Sequence, residues 1–593
     1  MVIKRKATFA VLFPIFLASM ILVISISPSF YLSNDVNKIF PKTADIFADI
    51  IIDDTGVGDY TWEEFEAGGY CSGSGTSSNP YLVKDHIFDN DGLGLNCLAI
   101  MNSKKHFILR NCTFRDSDPV SAGLYLFNVT NGVIDECFAY NNYVGFDLEN
   151  VNNTKITENH IYENDAGITL SSSHFNTISA NNVSTNTDLG IYLYDSTFNT
   201  ISNNIISENQ NLYGLLLATH SDNNEIKSNI ANLNGYSGIQ LDTCESNEIS
   251  NNEVIDNVVF GIFLDDGDDN SLLSNIANNH VYGIYLVSGS DNNIISKNEA
   301  NGNTVIGIGI ESSCENNIVS RNELNYNNVL AIYSDSCANN LFSQNTMNHN
   351  LVGGILLESC IDSVIDDNLA FNNSIYGIGI YNANNITCTD NTVYYSSQNG
   401  ILLENSDECR IETNNVHHNG FDGIRINDNS RWNTIKSNKF QYNNLSGIHV
   451  VFNSHNNLIM NNLASNNKQH GIFLESSNNI GIIGNTASNN GENGIHLLSS
   501  NSNSITSNTA NNNKNGTFLD NSDNNIVANN IFLGNDDCYN ETGSTGNIFE
   551  NNICTSTGGP SIDLSLILLI VCIIEGAILA GIASMYFIKK RKP

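Results

Sequence analysis

The sequence predicts an all-β fold: a right-handed parallel β-helix, a solenoid of about eighteen rungs, with a transmembrane α-helix at its C-terminus. Three observations carry that expectation. A glycine recurs every 22 to 24 residues ahead of a short apolar alternation, an asparagine recurs every 22 to 25 residues, and an apolar stretch near the C-terminus ends in a basic run.

The glycine column runs Gly145, Gly167, Gly190, Gly214 and onward to Gly516, with Ala331 standing in once. A representative copy is Gly261-Ile262-Phe263-Leu264-Asp265. The first and third residues after the glycine are apolar and the second and fourth vary, the period-two pattern of a strand with one buried face. The asparagine column is stricter. It starts at Asn159, continues through Asn181, Asn204, Asn229, Asn252, Asn275, Asn298, Asn322, Asn345, Asn368, Asn391, Asn414 and Asn438, and ends at Asn552. Five residues before many of these stands another Asn, such as Asn176, Asn199 or Asn224, and a small residue (Ser173, Cys244, Cys314) precedes that.

Some 23 residues cannot complete a fold alone, but they make one turn of a coil that buries its apolar face on its neighbours. Stacked at about 4.8 Å, eighteen rungs give a rod on the order of 85 Å long. Asn tolerates the left-handed backbone of sharp corners, and its amide can bond the amide of the next rung. A disordered Asn-rich chain would not hold apolar residues in register over so many copies, and a leucine-rich repeat would show a different corner.

The ends complete the organisation. Residues 1–30 hold Lys4-Arg5-Lys6 and an uncharged run, a signal peptide or an N-terminal anchor. Residues 31–80 form a linker and cap, with a short helix expected at Tyr60–Phe65 and a Gly/Ser turn leading into a first strand at Tyr81. The coil is expected over 81–554, a linker over 555–561, a transmembrane helix over 562–588 and a cytoplasmic basic tail over 589–593. Lys589, Lys590, Arg591 and Lys592 put that tail inside, and so the coil on the extracytoplasmic side of the cell membrane. The net charge of −37, from 62 acidic and 25 basic residues, argues against nucleic acid as a partner.

The copies, of the form Gly-Ile-x-Leu-x-x-Ser-x-x-Asn-x-Ile-x-x-Asn, resemble the repeats of NosD-like and pectate-lyase-like parallel β-helix proteins, including membrane-anchored surface forms, over roughly Tyr81 to Cys554. The resemblance implies the fold. It leaves activity open, since that superfamily holds lyases, hydrolases, epimerases and adhesins. It also raises copper, through the NosD name, for the column Cys314, Cys337 and Cys360, which thiolate chemistry would suit. The same column is Ser in other rungs, as corner filler would be.

The alternation points one strip outward. It carries Tyr192, Phe263, Tyr285, Tyr333 and Phe473 two residues after the glycine, and Glu311, Asp335, Glu358 and Glu475 four after it. Ring faces and hydroxyl acceptors in one strip suit a glycan. Asp265, Asp266, Asp268 and Asp269 crowd one corner and offer oxygens to Ca²⁺ as a candidate cofactor. Asp422, Arg425 and Asp428 bring unlike charges to one rung and are the candidates for catalysis. Cys112 and Cys137 share the ladder register and are candidates for a disulfide in an exported protein. His449 and His496 lie two rungs apart, too far to share a metal.

Repetition without a conspicuous break favours a non-catalytic, membrane-tethered protein that binds glycan or adheres. A polysaccharide-processing enzyme and a NosD-like accessory in copper delivery are the alternatives.

Overall fold

The computed structural model of the chain describes residues 46–556, apart from 93, 118 and 119. The expected segments at 1–30 and 562–593 lie outside the described residues. Among the described residues no helix is long and apolar enough to cross a membrane.

Each turn contributes strands to three parallel sheets. The long sheet contains 21 strands, from Ile50–Asp53 to Asp537–Thr542, mostly six residues each. A second sheet has 21 short strands from Tyr81–Lys84 to Ile548–Glu550. The third is broken into runs, the longest spanning Glu323–Asn325 to Leu463–Ser465. Pairing is in register: Ile239 lies beside Ile262 and Ile262 beside Ile284, with Leu241, Leu264 and Leu286 stacked likewise. These inward columns are fully buried and make one continuous apolar core.

The coil therefore has 21 turns, not eighteen, and is on the order of 100 Å long. The three added turns are N-terminal. There His86, Cys112 and Cys137 occupy the position that is Asn in later turns, and the repeat loses its signature. The coil also starts before residue 81, because Ile46–Phe47 pairs with Ile87–Phe88 and Ile50–Asp53 with Leu98–Met101. Between them lies helix α1, Trp62–Ala67, close to where it is expected. Thr61 caps it with a reciprocal box, its hydroxyl accepting from Glu64 N–H while Glu64 accepts from Thr61 N–H at 2.8 Å. Trp62 and Phe65 are buried, and Trp62 stacks on Tyr81 at 5.0 Å.

The asparagines stand in files. The Asn252 main-chain N–H donates to Asn275 Oδ1 (3.0 Å), and the Asn252 amide donates to the same oxygen (2.9 Å) and to Ile226 O (2.9 Å). Asn181 to Asn530 repeat this geometry turn after turn. The file five residues earlier does the same, as in Asn224 to Asn247 at 2.8 Å. A third file was not expected. It runs from Asn142 through Asn164, Asn186 and Asn209 to Asn535, with His280 and Ser396 substituting, at the corner before the long strand. The glycine that follows this corner has no room for a side chain: a Cβ at Gly190 would sit 2.4 Å from Ile206 Cγ2 and 2.6 Å from Gly214 O.

The expected Cys112–Cys137 disulfide does not form. Both thiols are free, and each donates to main-chain carbonyls, Cys112 to Arg110 O (3.4 Å) and Cys137 to Asp135 O (3.3 Å). Cys137 Sγ accepts from the Cys112 main-chain N–H at 3.4 Å, the place that Asn159 Oδ1 takes toward Cys137 one turn on. The disulfide that does form joins Cys538 to Cys554 in the last turns.

Candidate functional site

Side chains two and four residues after the glycine leave the long sheet on its outer surface, because the alternation sends residues one and three inward. A bend at the glycine turns the residue before it outward as well, so the surface is richer than the alternation alone implies. Phe260 stacks on Phe263 at 4.3 Å and on Tyr282 at 5.3 Å, and Tyr282 lies 4.6 Å from Tyr285. Farther along, Val305, Ile306, Leu330, Leu356, Tyr376 and Leu402 form a second apolar cluster outside the core. Tyr282 and Tyr333 pack against this cluster, and Phe263 and Tyr285 are half-buried beside Phe260 and Tyr282. Phe260, Tyr282 and Tyr376 carried no mark in the sequence beyond standing just before a repeat glycine.

The carboxylates line the edge of the same floor. Glu311, Asp335 and Glu358 are paired in register on successive turns. The Tyr333 hydroxyl donates to Glu358 at 3.1 Å. Burial raises the Glu311 pKa, and Asp335 and Glu358 beside it add to the rise. Burial likewise raises Glu358. Tyr192 lies apart from these, in a depression of about 400 Å³ shared with Tyr143, Asp147, Asp165, Asp188 and Tyr194.

The Asp265–Asp269 corner does not gather its carboxylates. Asp265 lies on the long sheet, Asp266 and Asp269 sit in left-handed backbone, and Asp268 Oδ1 is spent on the Asp291 N–H at 2.8 Å. Alternating corner conformations splay these side chains. Among the described residues, the trio of possible ligand atoms within 4.8 Å of one another is Asp135, Glu136 and Glu158, and Asp135 already pairs with Arg110 at 2.8 Å. The thiols of Cys314, Cys337 and Cys360 are buried and donate to main-chain carbonyls at 3.0, 3.1 and 3.3 Å, as corner filler does.

The unlike charges at residue 422 do come together. Asp422 is 1% exposed, in a position that is apolar or small in most turns. Its Oδ1 accepts from Ser446 N–H at 2.9 Å, and its Oδ2 lies 3.4 Å from Arg425 Nη1 and 3.1 Å from His449 Nδ1. His449 Nε2 points to Glu475 at 3.7 Å, and its ring stacks on Phe473 at 4.6 Å. Beyond Phe473 the stack continues to His496 at 4.8 Å, and His470 Nε2 lies 3.3 Å from His496 Nδ1. Asp428 stays outside this cluster, its carboxylate meeting only Asn427 at 3.4 Å.

Burial alone would lower the His449 pKa, but hydrogen bonds to Asp422 and Glu475 outweigh it and hold the ring protonated to higher pH than an ordinary histidine. Burial, with the neighbouring rings adding to it, pushes His470 down to about 3. Burial and His449 push His496 down to about 4. A carboxylate that orients one imidazole, beside a guanidinium, can move a proton and contact an anionic group. His449 and His496 are kept apart by Phe473, in accord with the separation read from sequence. His470, which bridges to His496, sits just before a repeat glycine and escapes the alternation.

The family model described as periplasmic copper-binding protein (NosD) matches residues 56–234, 102–278 and 210–331. The model described as right handed beta helix region matches 274–402 and 376–532. No curated protein matches. Similar solved structures include the Azotobacter vinelandii mannuronan C-5 epimerase AlgE6 A-module, at 16% identity over 53% of this chain and 91% of that one, with a TM-score of 0.38. The periplasmic alginate epimerase AlgG aligns at 14% identity over 57% and 77%, with a TM-score of 0.31. The Siphovirus 9NA tailspike receptor binding domain aligns at 10% identity over 51% and 74%, with a TM-score of 0.34. These values are too low to extend any of those activities to this chain.

Proposed function

Since the chain belongs to the NosD-like, right-handed parallel β-helix proteins, we propose that it is a surface protein that binds glycan without turning it over. The binding surface is the outer face of the long sheet, and the observation that carries it is the aromatic floor of Phe260, Phe263, Tyr282 and Tyr285 edged by Glu311 and Glu358. Half-buried rings supply apolar faces at low entropic cost, and the carboxylates accept from hydroxyls. In this reading residues 1–30 direct export and 562–588 tether the coil outside the cell membrane.

The test is binding of neutral polysaccharides to the full chain, with Phe263→Ala and Tyr285→Ala as variants. Binding that weakens about tenfold or more in the variants is expected. Binding that ignores both substitutions overturns the assignment of this face.

The Asp422, Arg425 and His449 cluster favours a second reading, a polysaccharide-processing enzyme. Appearance of reducing or unsaturated ends when the protein is incubated with polysaccharides, lost in His449→Gln, would replace the non-catalytic reading.

A further inference from the structure

A different strip of the coil has no role in that reading. The corner that follows each strand of the third sheet holds a left-handed residue, the conformation that Asn and Gly adopt most easily. From Gly302 to Gly534 that file reads Gly302, Tyr326, His349, Asn372, Tyr395, His418, Tyr442, Asn466, Asn489, Asn512, Gly534. Five aromatic or imidazole rings thus stand where the flanking turns use Asn279, Gly302, Asn466, Asn489, Asn512 and Gly534, and where turns nearer the N-terminus use Glu208, Leu233 and Asp256, held in a backbone that their side chains disfavour. They are exposed: Tyr326 by 60%, Tyr395 by 53% and Tyr442 by 51%.

The rings stack in two short piles. Tyr326 lies on His349 at 5.1 Å, and His418 on Tyr442 at 5.1 Å with Tyr395 next to His418. Gly302 ends the first pile on one side and Asn466 ends the second on the other, while Asn372 separates them with its amide turned toward Asn348. The end rings therefore keep faces without a ring above them. The whole strip is about 24 Å long at one rung per file position.

The second observation is charge. In a chain of net charge −37, the six successive segments 346–352, 369–375, 392–398, 415–421, 439–445 and 463–469 contain no Asp or Glu, and they contain Lys439 and Lys468, while the Tyr326 turn, 323–329, carries the single carboxylate Glu323. Rings, amides and two lysines, with Glu323 at one end as the sole carboxylate of these segments, suit a ligand that is itself anionic and carries apolar faces. We propose that this strip is a second binding surface, for an anionic glycan chain, separate from the long-sheet face and independent of its assignment.

The test uses Tyr326→Asn, Tyr395→Asn and Tyr442→Asn together in the full chain. Asn is the residue found in neighbouring turns at this site, so the triple variant is expected to keep or raise its melting temperature. Affinity for dextran sulfate and polygalacturonate, with uncharged dextran as control, is expected to fall at least about tenfold. The proposal is overturned if neither polyanion binds, if dextran binds as well as they do, or if the triple variant binds unchanged. A melting temperature that drops would make the rings structural and overturn it too. Phe263→Ala and Tyr285→Ala should leave this binding intact, so failure here and failure of the long-sheet face are told apart.

Discussion

Replacing Asn252 with alanine tests the ladder at its most regular point. The side chain makes four hydrogen bonds: it accepts from Asn229 N–H (2.9 Å) and Asn229 Nδ2 (3.0 Å) and donates to Ile226 O (2.9 Å) and Asn275 Oδ1 (2.9 Å). Asn252 is buried, so water cannot replace it. The orphaned Asn229 N–H costs about 1–3 kcal/mol and the other three bonds about 1 kcal/mol each, for a loss of about 4–6 kcal/mol. Because a turn contacts only its neighbours, the loss should be local. Native-state hydrogen exchange reads it as a lower opening free energy for turns around residues 229–275, with distant turns unchanged. Asn251→Ala is the control: Asn251 is exposed at φ 55°, and alanine there meets only the left-handed strain of about 1–2 kcal/mol. If Asn252→Ala costs no more than Asn251→Ala, the ladder contributes nothing beyond corner conformation and the reasoning fails.

Three further outcomes are expected. Asp422→Asn should destabilise the chain by about 3–5 kcal/mol, measured by denaturant unfolding, because Arg425 and His449 lose a buried counter-charge. Stability should fall as pH drops from 6.5 toward 4: His496 has a folded pKa of about 4 against an ordinary 6.5, so the unfolded chain binds the extra proton in that window, worth about 3 kcal/mol. His496→Gln should remove its share of that slope and leave the share of His470, whose folded pKa is about 3, while the raised pKa of His449 acts oppositely, its stabilisation being full below 6.5 and fading as pH climbs through the folded value. Reducing the Cys538–Cys554 bond, which closes a separation of 16 residues, should cost about 3 kcal/mol and appear as lost exchange protection confined to residues near 531–556.

Most of the coil was legible because its two strongest constraints are chemical. No larger residue fits beside the Gly214 carbonyl at Gly190, and only a side chain that both accepts and donates can extend the Asn file. The first three turns fell within the expected coil, and Cys112 and Cys137 were legible in the ladder register, but the count of rungs missed them because His86, Cys112 and Cys137 fill the Asn place with other chemistry. The third Asn file escaped notice because its members lie in a corner of variable length before the glycine. The long-sheet aromatics at Phe263, Tyr285 and Tyr333 followed from alternation, but Phe260 and Tyr282 did not, since a bend breaks the period where they stand. Asp422 and Arg425 were visible as unlike charges in one rung. Their partner His449 comes from the next turn, and Asp428, near in sequence, belongs to a different corner.

The amide file also makes the coil a counted object. Each buried Asn meets an identical group one step away, so removing residues 253–275 would set Asn252 against Asn298 with the same geometry it now has with Asn275. Whole turns are interchangeable lengths of about 4.8 Å, and the reach of the molecule is an integer multiple of that step. Its height can be trimmed or extended by cutting and splicing at the asparagines, leaving the surfaces on either side of the join untouched.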